Sequence, residues 1–223
     1  MTTINLGLIG CGGRLRDVVK RVSAAADASG VRVRVVALTD PSAHSLAQAH
    51  SELPVDESAR VFDDYHDLVA LPQVDWVMVG SWNCFHAEHV IAAFAAGKHV
   101  FCEKPLALTE GECLAMREAW KRSGTQFTIG FTLRYSPHYV KIKETLSGNT
   151  IGRVISMEFN ETLDFNHGGF IHADWRRKTE WAGSHLLEKC CHDVDLVNWM
   201  LESVPVKTAS FGGCDYFRSE NAG

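Results

Sequence analysis

A carboxylate, an ammonium and a proline stand together at Glu103-Lys104-Pro105, directly after the apolar run "HVFC". A lysine held in a partly desolvated cleft loses proton affinity, which suits general acid/base work near neutrality. Pro105 fixes its own φ and biases Lys104 towards extended backbone, aiming the ammonium off the end of a strand, where Glu103 can restrain it. A second candidate group is His192, in "LLEKCCHDVDLVNWM". On a helix over 186–201, Glu188, His192, Asp195 and Trp199 recur at i, i+4, i+7 and i+11 and share one polar face. Leu187, Cys190, Val194, Val197 and Leu201 make the other face, which is expected to pack on a sheet. The two carboxylates on the polar stripe are expected to orient the imidazole and raise its proton affinity.

A third constellation opens the chain in "GLIGCGGRLRD", where Gly10, Gly12 and Gly13 fall between a first strand and a first helix. Backbone N–H groups there can point at a dinucleotide pyrophosphate only if no side chain blocks the approach. Arg14 follows within the same turn. The spacing departs from G-x-G-x-x-G, because the third glycine position is Leu15; a leucine there is expected to push the helix off the strand. Asp40 ends the second strand, where its carboxylate can accept hydrogen bonds from both ribose hydroxyls and repel a 2'-phosphate. NAD is therefore favoured over NADP.

These groups need a scaffold that gathers strand ends. The first half alternates strand and helix signals: strands at 4–10, 31–40, near 60–62, 74–80, 98–103 and 125–131, with helices between them. Crossovers of that length predict a parallel, doubly wound α/β sheet over residues 1–131. From 132 the texture changes. A helix at 135–148, an alternating stretch "RVISMEFNETLDF", a polar loop at 166–184, the 186–201 helix and a last strand "PVKTASFGG" predict an α+β region, residues 132–223, with a mainly antiparallel open sheet. Two or three strands are too few for a sheet with both edges protected, so this second region is expected to be incomplete.

Composition narrows the partners. The formal charge of -5 and the absence of a basic patch argue against nucleic acid. No apolar run reaches bilayer length, and the start "MTTINLGLIG" carries no basic leader region. Seven cysteines without a disulfide-framework spacing fit reduced thiols in the cytoplasm. Cys190-Cys191-His192 lacks a matching second ligand pair, so no metal site is expected.

The stretch "GSWNCFHAEHVIAAFAAGKHVFCEKPLALTEGE", with N-x-x-H, then G-K-H-V, then E-K-P, resembles the Gfo/Idh/MocA family of nicotinamide-dependent sugar and polyol dehydrogenases. The later "LLEKCCHDVDLVNWM" resembles that family's second motif, although Glu188 stands where aspartate is common. The resemblance implies a Rossmann domain, hydride transfer to or from NAD(P), and Lys104 and His192, with Glu188, handling a substrate hydroxyl proton. It also implies cofactor contacts from Ser81, Asn83, His86, Glu103 and Lys104, beside Gly10, Gly12, Gly13, Arg14 and Asp40. Substrate contacts would come from Arg134, Tyr135, His172, Trp175 and Arg176, with Arg177 nearby and Glu188 and His192 at the centre. A sugar, inositol or related polyol is the implied substrate, and the C-terminal sheet, if complete, would build a homo-oligomer. Two rivals stay open: an NAD-cycling glycosidase of the same fold, and a non-catalytic nucleotide-binding fragment.

Overall fold

A computed structural model describes residues 2–164, 169, 171, 174–213 and 218–221. Six parallel strands form one sheet in the order β3-β2-β1-β4-β5-β6. They are β1 (Thr2–Ile9), β2 (Val31–Thr39), β3 (Val55–Val61), β4 (Trp76–Val79), β5 (His99–Cys102) and β6 (Phe127–Ile129). The strand order reverses between β1 and β4, and the carboxyl ends on either side of that reversal form the crevice of a doubly wound sheet. β3 starts earlier than "RVFDDYHDLVA" suggests, and its register with β2 is interrupted between Val35 and Ala37.

Helices α1 (Gly13–Ala28), α2 (Ala43–Glu52), α3 (Tyr65–Val69), α4 (His86–Ala95) and α5 (Glu110–Ser123) make the crossovers. Apolar residues from both sheet faces gather in two cores. In one, Leu15, Val19, Val35 and Leu38 are fully buried; the other gathers Leu68, Val77, Val90 and Met116. Local chemistry sets the ends. Thr109 and Glu112 form a reciprocal capping box on α5, and Gly124 closes that helix at φ +66. Ser42 caps α2 by accepting from the Ser45 N–H.

Beyond β6 the chain continues through helices α6 (Pro137–Ser147), α7 (Thr179–Ala182) and α8 (His185–Leu201), with 3-10 turns at Thr132–Tyr135 and Asp174–Arg177. The two expected strands do not form among the described residues. The stretches 151–164 and 203–213 pair neither with each other nor with the parallel sheet. Alternation supplies a face but no partner, and a strand gains its hydrogen bonds only from a neighbour. Ile155, Val206 and Phe211 are accordingly almost bare, at 82%, 97% and 96% exposure.

Candidate active site

The glycine turn is drawn tight by its own backbone. Gly10 N–H donates to Thr39 O at 2.9 Å, and Gly10 takes φ +83, with the Ser81 amide where a β-carbon would lie. Gly12 faces open space: a β-carbon there would meet no protein atom within 4 Å. The turn thus offers a cradle that a side chain would fill, at the amino end of α1. Asp40 is held in position by two amides, Cys11 N–H to Oδ2 at 2.6 Å and Ser42 N–H to Oδ1 at 2.7 Å. Burial pushes the Cys11 thiol up to about 12, so it stays an inert thiol within the turn. Leu15 does not hang free as an obstruction; it is 1% exposed and packs on Gly80 at the end of β4. A β-carbon on Gly80 would sit 2.8 Å from Leu15 Cβ, so the missing space is found on the opposite wall.

Glu103 follows β5 and is 5% exposed. Its Oε1 accepts from Arg14 Nε at 3.1 Å and its Oε2 from the Lys104 amide at 3.1 Å. Burial raises this carboxyl's pKa, and the Arg14 guanidinium opposes the rise. Arg14 also donates to Thr132 Oγ1 at 3.0 Å, linking the glycine turn to the segment after β6. The Lys104-Pro105 peptide bond is cis. Lys104 Nζ donates to the Glu188 carbonyl at 2.8 Å and lies 3.5 Å from Glu188 Oε1.

Helix α8 presents the opposite face from the one its apolar residues suggest. Glu188, Lys189, Leu196 and Met200 are buried, whereas Val194 is 57% exposed. The polar stripe turns inward because partners wait for it. Asn83 Nδ2 donates to Glu188 Oε2 at 2.7 Å and to Ala182 O at 3.0 Å, and Arg176 Nε lies 3.4 Å from Glu188 Oε1. A buried carboxylate so surrounded is paired as its burial demands. His192 follows one turn later, against the edge of Phe131. Its proton affinity moves down, to about 4, opposite to the expected direction. Burial is the main cause, and the Lys104 and Arg14 cations add to it, outweighing the carboxylates of the helix. Asp195, the second carboxylate of the stripe, is committed to Arg134 by a two-pronged ion pair of 2.7 and 2.5 Å. The Nδ1 atom of His192 is buried without a hydrogen-bond partner among the described residues.

One cavity of about 1030 Å³ runs past all these groups: Gly10, Gly12, Gly13, Arg14 and Asp40 at one end, Ser81, Asn83, His86, Glu103 and Lys104 along it, and Trp175, Arg176, Glu188 and His192 at the other. Two substrate candidates lie off this wall. Arg134 clasps Asp195, and Tyr135 is 76% exposed. His172 lies outside the described residues, and Arg177 sits in the same 3-10 turn as Trp175 and Arg176 without lining the cavity. Trp82, not singled out in the sequence, stacks on Trp175 at 5.3 Å and meets Trp181 at 5.1 Å, walling the cavity with indole faces. Its signal was position alone, one residue before the N-x-x-H segment. Glu161, Cys190 and Asp193 bring ligand-type atoms within 4.8 Å of one another, a cluster that does not include His192.

A doubly wound parallel sheet, an open glycine cradle, an acid at the end of β2, Lys104 and His192 surround one crevice. Residues 4–131 match the oxidoreductase family with an NAD-binding Rossmann fold, and residues 143–222 match that family's C-terminal alpha/beta domain. The chain belongs to the Gfo/Idh/MocA oxidoreductase family. It is 37% identical over 204 residues to inositol 2-dehydrogenase of Gluconacetobacter diazotrophicus, covering 90% of this chain and 55% of that protein. It is similar in structure to myo-inositol 2-dehydrogenase from Lactobacillus plantarum, with TM-score 0.68, 26% identity, and 90% and 57% of the two chains covered. A levoglucosan dehydrogenase solved with NADH and L-sorbose is likewise similar, with TM-score 0.72, 26% identity, and 90% and 54% covered. The chain spans about half the length of the curated relatives it matches.

Proposed function

We propose that this chain carries the cofactor-holding and proton-handling groups of an NAD-dependent dehydrogenase acting on the CH–OH group of a sugar, inositol or related polyol. The observation that carries the reading is the convergence of Lys104 and His192, from β5 and α8, on one cavity that also contains the open glycine cradle. The relatives' names point to the same substrate class.

In this reading Gly12 and Gly13 leave room for the pyrophosphate, and Asp40, oriented by Cys11 and Ser42, takes the adenosine ribose and disfavours NADP. Bound NAD supplies the hydride acceptor. The residues supply the rest. His192 stays neutral at physiological pH and lines the cavity, where its imidazole faces the substrate hydroxyl. Lys104, anchored by the Glu188 carbonyl, donates an N–H to that hydroxyl oxygen, and the neutral His192 takes up the proton that the hydroxyl releases. Glu188 fixes Lys104 and Arg176 together, and the indole faces of Trp82 and Trp175 suit the C–H faces of a ring. Six described cysteines are free, which fits a cytoplasmic location.

The test is a panel of sugars and polyols with NAD and with NADP, read by absorbance of the reduced cofactor. The reading expects net NADH accumulation with a cyclic polyol and little with NADP. Release of a sugar without NADH would replace it with the NAD-cycling glycosidase.

A further inference from the structure

We propose that His86 is a positioning residue that sets the Lys104 ammonium by holding the Pro105 carbonyl, and that it does not itself touch the cofactor. The inference rests on the reading of Lys104 as donor to the substrate oxygen. His86 opens α4 and is 1% exposed, with its Nδ1 2.8 Å from Pro105 O and its Nε2 3.0 Å from Ser81 O. Both ring nitrogens are thereby taken up by backbone carbonyls, although the residue borders the cavity. Pro105 has no N–H of its own, and its carbonyl is buried beside the lysine that must be aimed. A neutral imidazole carries one N–H, and burial holds this ring towards its neutral form. On this proposal that N–H sits on Nδ1, donating to Pro105 O across the shorter of the two contacts.

The ring therefore ties the amino end of α4 to the turn after β5, while Lys104 reaches across to the Glu188 carbonyl on α8. Glu188 is also the charged group whose field reaches His86, and His89 is the neighbouring titratable ring on α4. Losing the donor leaves a buried carbonyl without its bond and frees the turn to shift, which moves Nζ off its anchor.

Asparagine places an amide N–H near the Nδ1 position, whereas glutamine places one near Nε2. The test compares His86→Asn, His86→Gln and His86→Phe in the 223-residue chain, by NMR of ¹⁵N-lysine side chains with the Lys104 signal assigned through Lys104→Arg. The wild-type Lys104 ammonium is expected to give a slowly exchanging signal from its bond to Glu188 O. That signal should persist in His86→Asn and vanish in His86→Gln and His86→Phe, with NADH affinity unchanged in all variants that keep the native amide spectrum. In turnover, His86→Phe should lose roughly 10- to 100-fold in kcat, the scale of a small misplacement of a reacting group, with His86→Asn recovering most of it. An unshifted Lys104 signal in folded His86→Phe, or equal rescue by glutamine, overturns the proposal. An inactive wild type would instead count against the dehydrogenase reading, leaving the NMR result to judge this one.

Discussion

Replacing the Glu188 carboxylate by an amide removes the buried negative charge that faces Lys104 and Arg176. Glu188→Gln is expected to cost about 3 kcal/mol by denaturant unfolding, the scale of breaking a buried pair from one side, and to lower turnover as Lys104 loses its ionic partner while keeping its bond to the Glu188 carbonyl. His192 and His89 both sit near pKa 4 in the folded chain against 6.5 for a free histidine, and burial is the largest cause in each. Between those values the unfolded state binds more protons, so stability falls as pH drops from about 6.5 to about 4 and levels off below. Unfolding midpoints measured across that window should show the loss, and His192→Asn should remove part of it. At this scale the sequence was legible where a residue's placement depends on near neighbours, as for Lys104, which stands beside Pro105 and lines the cavity. It was not legible for the Asn83–Glu188 bond, which spans 105 positions. The fall in His192 proton affinity was hidden for the same reason: burial, its main cause, comes from the fold, and the Lys104 and Arg14 cations lie far earlier in the chain.

Elements place these groups through a few close approaches. Gly10 and Gly12 occupy one turn, yet substitution should separate them. Gly10→Ala meets positive φ and the Ser81 amide and is expected to cost about 1–3 kcal/mol of stability. Gly12→Ala meets open space and should keep the melting temperature while weakening NADH binding on the order of tenfold, read by fluorescence titration. The alternating strand and helix signals gave the sheet because each crossover is local. The exposed face of α8 was misread because periodicity counts apolar side chains and is blind to partners. Val194 looks like core until Glu188 and His192 find a cleft that needs them. Leu15 looked like an obstruction because the compensating glycine, Gly80, lies on a different strand.

The whole molecule divides by hydrogen bonding. Residues 2–129 contain every strand described, each with a parallel neighbour, while 151–164 and 203–213 have none. Amide hydrogen exchange should therefore protect β1, β4 and β5 most and leave those two stretches near the unprotected rate. The alternating stretch at 153–164 falls within residues 143–222, which match the C-terminal alpha/beta domain of the family. What it lacks among the described residues is a strand to pair with. The cavity nonetheless draws its lining from both regions, since α8 brings Glu188 and His192 to the residues at the strand ends. The most direct test of the account is Lys104→Ala, measured for NADH affinity and for single-turnover oxidation of the best polyol found. The account predicts NADH binding near that of the unaltered chain and turnover reduced by roughly 100-fold or more. Unaltered turnover in that variant would contradict it.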